Sequence, residues 1–151
     1  MKEIKKAGLI LFFLLLSCGY KPIYSSKNMN FSIKEIQKEN TPLNNEFSRN
    51  LKTFSNNDIA NQLKIKIESK KKITVKSKDT KGNPNLYELK IILNITVYDE
   101  INGKTHNKKF SQNINYKNRD DKFQLSQYQK EVEELLINKI IENVLSYLSN
   151  I

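Results

Sequence analysis

Few side chains in this 151-residue sequence are placed to do chemistry. Its single histidine, His106, falls just after Asn102-Gly103, where a hairpin turn is expected, and no cysteine or carboxylate stands at a metal-ligand spacing from it. His106 is therefore read as a solvated loop residue, and no metal site is expected. Asp120-Asp121 is a pair of acids, but Arg119 and Lys122 flank it, the pattern of a solvated loop entering a helix. There is no Gly-rich phosphate loop, no G-x-S-x-G elbow and no nucleophile paired with histidine. The expectation is a chain that is not an enzyme and uses no dissociable cofactor. What chemistry remains belongs to Cys18 and to the lysines.

Cys18 is the sole cysteine. Lys2, Lys5 and Lys6 precede an apolar run, Leu9 to Leu16, that stops at Ser17-Cys18, the order of a secretory signal. That run is well short of the ~20 residues that cross a ~30 Å hydrocarbon core as a helix, so a permanent span is disfavoured. Leu15-Leu16-Ser17-Cys18 resembles the bacterial lipobox, with an aliphatic residue three before the cysteine and a small one next to it. Processing there divides the chain into a signal peptide (1–17), a lipidated tether (18–30) and a domain (31–151). The mature Cys18 would carry a diacylglycerol on its thiol and a further acyl chain on its amine, each buried CH₂ contributing about 0.8 kcal/mol to anchoring. A lone cysteine routed to an oxidising compartment has no partner for an internal disulfide, which suits a lipid-bearing role. Gly19-Tyr20 follows, without the aspartate that resembles an inner-membrane retention signal, so the expected address is the periplasmic side of the outer membrane.

The lysines are numerous and unevenly spread. The formal charge is +10, of which Lys2, Lys5, Lys6 and Glu3 supply +2, leaving about +8 on the mature chain. Between Lys64 and Lys81 eight lysines face only Glu68 and Asp79, whereas Lys130 to Ile151 is net acidic. Such polarity favours anionic partners. Nucleic acid is not expected, because an exported chain does not meet it and no binding motif appears. Anionic lipid or lipopolysaccharide fits the address.

These residues sit on a regular alternation of elements. Phe31 to Ile36 reads as a strand with Phe31 and Ile33 on one face and an irregularity at Glu35. Thr41-Pro42 reads as an N-cap followed by proline at the first helical position. Leu43, Phe47, Leu51 and Phe54 then form the apolar face of a short helix that ends in Ser55-Asn56-Asn57-Asp58. From Leu63 to Lys76 the period becomes two, a strand pair or one long bent strand. After Lys81-Gly82-Asn83-Pro84, the residues Tyr87, Leu89, Ile91, Leu93, Ile95 and Val97 share a face, with Ile92 and Tyr98 interrupting the polar one. A turn at Ile101-Asn102-Gly103-Lys104 leads to a strand over Lys109 to Tyr116. A long helix over Gln124 to Leu148 closes the chain, with Val132, Leu136, Ile140, Val144 and Leu148 inward, broadened by Ile137, Ile141 and Leu145. The whole predicts one α+β domain, a roughly four-stranded antiparallel or mixed sheet packed on one face by a short N-terminal and a long C-terminal helix.

Taken in order, these pieces resemble the LPS-assembly lipoprotein family LptE. Cys18-Gly19-Tyr20-Lys21-Pro22-Ile23-Tyr24 is similar to that family's lipidated opening, and Glu46 to Leu51 to its first helix. Gly82 through Tyr98 resembles its Gly-turn and central strand, and Tyr128 to Leu148 its closing helix. The lysine load and the lack of a long polar tail after the last helix depart from it. The resemblance implies a plug in the lumen of the outer-membrane barrel protein LptD that assists lipopolysaccharide assembly. It also places basic residues near Lys81 and Lys122, the first choice for contacts to lipid A phosphates, with Lys70, Lys71 and Lys72 as the second. Two other roles stay open: a lipoprotein serving a different envelope complex, and a carrier that encloses lipid between sheet and helices.

Overall fold

The structure, a computed structural model, describes residues 29–55 and 59–151. Cys18, the signal segment and most of the tether lie outside the described residues, as do three residues of the expected turn, 56–58. The elements in chain order are β1 (Ser32–Lys38), α1 (Pro42–Lys52), β2 (Gln62–Lys78), β3 (Pro84–Asp99), β4 (Lys104–Lys117) and α2 (Lys122–Leu148).

β3 carries the period-two pattern in its strictest form, and the sheet is built around it. Leu89, Ile91, Leu93, Ile95 and Val97 are each 2% exposed or less. Buried side chains of this size contribute about 1.5–3 kcal/mol apiece, so the strand's orientation is strongly set. β2 and β4 pair antiparallel on either side of β3, and β1 pairs parallel with β2, giving the order β1-β2-β3-β4. A parallel pair needs a crossover, which α1 supplies. α1 packs on β1 and β2, α2 on β3 and β4, and the helices touch each other, so both lie on one face of a mixed sheet. The expected α+β architecture is the one observed.

Local chemistry sets each boundary. Thr41 Oγ1 accepts the Asn44 N–H at 3.2 Å and caps α1, whose Phe47 and Leu51 are fully buried. Asn44 itself is 2% exposed; its side-chain oxygen accepts from Ser69 N at 2.9 Å and Ser69 Oγ at 2.6 Å, pinning α1 to the middle of β2. β1 shifts register between Ile33 and Glu35, where the irregularity was expected.

The stretch after Leu63 takes the second of its two expected forms, one 17-residue strand, whose Ile73 and Val75, on the helix side, are 45% and 41% exposed because the helices cover only its first half. Three expectations are corrected. β4 starts at Lys104, not Lys109: Asp99 Oδ1 accepts from Ile101 N and Asn102 N, both at 3.0 Å, and Gly103 takes φ +63, closing the turn tightly. His106 is consequently a half-buried strand residue opposite Val97 rather than a solvated loop residue. α2 starts at Lys122, because Asp121 accepts from Phe123 N at 2.8 Å and Gln124 N at 3.2 Å; Lys122 is its first residue rather than a loop residue ahead of it.

Where α1 meets α2, burial lifts the Glu46 carboxyl above its ordinary 4.5, and the nearby charge of Glu133 adds to the effect, against Arg49. A carboxyl raised in the folded state favours folding when protonated; that contribution is present below the unfolded value and lost as pH rises through the folded one. Glu46→Gln should therefore raise the melting temperature at pH 7, with the gain vanishing below about pH 4. Thermal melts that show no gain at pH 7, or a gain undiminished at the lower pH, would refute this reading of the helix junction.

Candidate functional site

Lys81 sits at the tip of the β2–β3 hairpin, which is held by its own backbone. Asp79 Oδ1 accepts from Lys81 N at 2.9 Å and Asn83 N at 2.8 Å, and Gly82 takes φ +85. Those N–H groups, that of Asn83 first, hold the Asp79 carboxyl below its ordinary 3.8. The tip is thus a firm mount for an exposed lysine.

The segment between β4 and α2 faces this tip. Asn118 donates to β3 twice, from its backbone N to Asn85 O at 2.9 Å and from Nδ2 to Pro84 O at 2.9 Å. Arg119 lies with its guanidinium 4.4 Å from the centre of the Tyr128 ring, a cation–π geometry. Tyr128 meets Tyr116 edge to face at 6.1 Å, and Tyr116 stacks on Tyr87 at 5.4 Å. Gln129 Nε2 donates to Tyr116 Oη at 2.9 Å; burial pushes that phenol above its ordinary 10.0 and keeps it a neutral partner.

Hairpin tip and helix start enclose an open cleft of about 720 Å³, walled by Asp79 and Asn83 on one side and by Arg119, Lys122 and Gln129 on the other, with Tyr87 between. A second hollow of about 540 Å³ shares Arg119 and reaches Tyr128. Two cationic side chains, amides and an aromatic ring are the groups that hold a phosphate and the hydroxyls of a sugar. Asp79 and Asp120 also line the cleft and oppose an anion there. The first amides of α2 are already taken by Asp121.

Lys122 lines the cleft, whereas Lys81, 41 positions earlier, stands on the hairpin tip between the lining residues Asp79 and Asn83 and is not itself part of the lining. Lys70, Lys71 and Lys72 do not act together. Successive strand residues point to opposite faces, and Lys71 points to the helices, where its Nζ lies 3.0 Å from Glu133. Lys70 and Lys72 point to the uncovered face, opposite Ile92 and Lys90. That face carries Lys64, Lys66 and Lys76 further along β2, then Lys109 and Lys117 on β4. Three of these have acid partners: Lys64 with Glu100 at 2.6 Å, Lys66 with Glu68 at 3.0 Å and Lys76 with Glu88 at 3.7 Å. Arg119, Gln129 and the tyrosines escaped sequence reasoning; the loop position of Arg119 carries no periodicity, and Tyr87 and Tyr116 read simply as inward strand residues.

The chain enters the domain far from the cleft. Asn30 Nδ2 donates to Ser149 O at 3.2 Å, and Ser32 pairs with Gln62 at the start of β2, while the cleft lies beyond the end of β2. At ~3.3 Å per residue, the 17 residues of β2 separate these ends by roughly 50 Å. Among the described residues no helix is long and apolar enough to cross a membrane.

No protein-family model and no curated protein matches the sequence. The fold is one that solved bacterial lipoproteins share. The chain is similar to lipoprotein B of Nitrosomonas europaea (TM-score 0.58, 12% identity, 87% of this chain and 90% of that one). It is likewise similar to rare lipoprotein B of Shewanella oneidensis (0.53, 17%, 80% and 96%) and to a minor lipoprotein of Acinetobacter baumannii (0.55, 8%, 79% and 92%). At these identities the likeness is one of fold.

Proposed function

We propose that this chain is exported, acylated on Cys18 and held on the periplasmic side of the outer membrane, where it acts as a plug and assembly partner of the barrel protein LptD. In this role it assists lipopolysaccharide assembly, without catalysis and with no cofactor beyond its covalent lipid. The observation that carries the reading is a lipobox-like Leu15-Leu16-Ser17-Cys18 ahead of a domain whose fold recurs in bacterial lipoproteins.

The geometry supports it in two ways. A barrel lumen is polar and wet, and this domain presents charged side chains on its open sheet face and at its cleft. The anchor would join the domain at the end opposite the cleft, so a domain standing upright would hold the cleft roughly 50 Å beyond that end, clear of the leaflet that holds the lipid. The lipid-carrier alternative has less support, since the space between sheet and helices is filled by side chains such as Phe31, Ile65, Ile91 and Ile140, all fully buried.

Pull-down of the membrane-extracted protein should recover a large outer-membrane barrel; recovery of a different assembly in its place would transfer the chain to another envelope complex. For the cleft, Lys81→Asp combined with Lys122→Asp should weaken lipopolysaccharide binding more than about tenfold in surface plasmon resonance, since a charged hydrogen bond contributes ~1.5–3 kcal/mol. Both residues are exposed, so the melt should be unchanged. Undiminished binding would remove the cleft from the lipopolysaccharide path.

A further inference from the structure

The open face of the sheet is left unexplained by the cleft. At its centre Lys72 stands directly opposite Lys90 on the neighbouring strand, and Lys70 follows two residues away on the same face. Like charges in directly opposed positions destabilise a sheet. None of Lys70, Lys72, Lys90 and Lys109 forms an ion pair with a carboxylate among the described residues. Glu68 and Glu88 share the face but are engaged by Lys66 and by Lys76 and Asn113, so the face keeps an excess of positive charge among the described residues, and an anion outside it would relieve the Lys72–Lys90 repulsion.

The composition of the face points to one kind of anion. Cores of protein interfaces are depleted in lysine and enriched in arginine and large aromatics. This face has lysines and no arginine, with the half-buried Ile92 and the 38% exposed Tyr98 between them. Lysine is a compact point charge on a flexible stem, suited to a loose array of phosphates rather than to a fixed carboxylate fork. Tyrosine with its polar tip is at home at a membrane–water boundary.

We propose that the open face of β2–β4 is a docking surface for the phosphate headgroups of an anionic bilayer, on which the domain lies flat when no barrel encloses it. The 13 residues from Cys18 to Asn30 span at most about 45 Å, enough to let an anchored domain lie down. Each lysine brought to an anionic leaflet strengthens the contact about fivefold. The inference needs the lipid anchor but not the barrel partner.

The test uses the acylated lipoprotein reconstituted in phosphatidylcholine vesicles with or without phosphatidylglycerol, its mass first showing whether Cys18 carries lipid. An unacylated chain would defeat the anchor reading at that step, separately from the docking one. With the sole native cysteine acylated, Asn94→Cys puts one free thiol on the open face, opposite Glu68, and Asn143→Cys puts one on the exposed side of α2. Reaction of the thiol at position 94 with a water-soluble maleimide should slow more than tenfold in the phosphatidylglycerol vesicles and recover in high salt, while the thiol at position 143 reacts equally in both. Adding Lys70→Gln, Lys72→Gln and Lys90→Gln should remove the protection; these changes relieve the Lys72–Lys90 repulsion, so folding is retained. Equal rates at position 94 in both vesicles, protection at position 143 instead, or protection that survives the triple change would overturn the proposal. So would protection that arises only after a barrel protein is added, which would make the face a protein interface.

Discussion

Burial of one side of β3 is the constraint from which the other features descend. Its alternate aliphatic residues from Leu89 to Val97 reach the helix layer only while the strand keeps that face inward. A slip of one residue would turn all of them to solvent and bring Lys90, Asn94 and Thr96 inside. Each neighbouring strand inherits the same register: Ile67 opposite Ile95 and Leu63 opposite Asp99 on β2, Tyr116 opposite Tyr87 on β4. The broad apolar face of α2 and the shorter one of α1 complete a core that neither sheet nor helices could form alone.

The same constraint creates both the cleft and the open lysine-bearing face. With the helices confined to one side, every second residue of β2, β3 and β4 is committed to a face that nothing among the described residues covers, and there the lysines accumulate. Because α2 begins only after the Asn118-Arg119-Asp120 segment has crossed back to β3, its start lies beside the β2–β3 tip and encloses the cleft. The chain enters the domain at the other end, so the cleft and the N-terminal entry lie at opposite poles. Asp79 and Asp99, each holding a turn through backbone N–H groups, keep the two hairpin ends stiff enough for that polarity to persist.

Elements with a clean period were legible from sequence. β3 and the body of α2 declared themselves, as did the Asn-Gly hairpin, the Thr41-Pro42 helix start and the irregularity at Glu35. What was hidden depended on partners distant in the chain. Lys71 breaks the alternation of β2 and obscured its continuity, yet it is accommodated on the helix face by Glu133, 62 residues away. Nothing local marks Asn44 as buried, since its partner Ser69 lies 25 residues away on β2. Asp121 was one of two equivalent acids until the α2 amides distinguished it. Lys81 and Lys122 were picked out by sequence, but only Lys122 lines the cleft, and the aromatic and amide groups around it come from three separate segments that no local pattern links.

Everything proposed about where this domain works rests on the fate of Cys18, and intact-mass spectrometry of the protein extracted from membranes addresses it most directly. The expected mass is that of a chain beginning at Cys18 plus a diacylglycerol and an acyl chain, falling after mild ester hydrolysis to the polypeptide plus a thioether-linked glyceryl group and the amide-linked acyl chain. A mass for a chain beginning at Met1 with a free thiol would contradict the anchor, and with it the outer-membrane address.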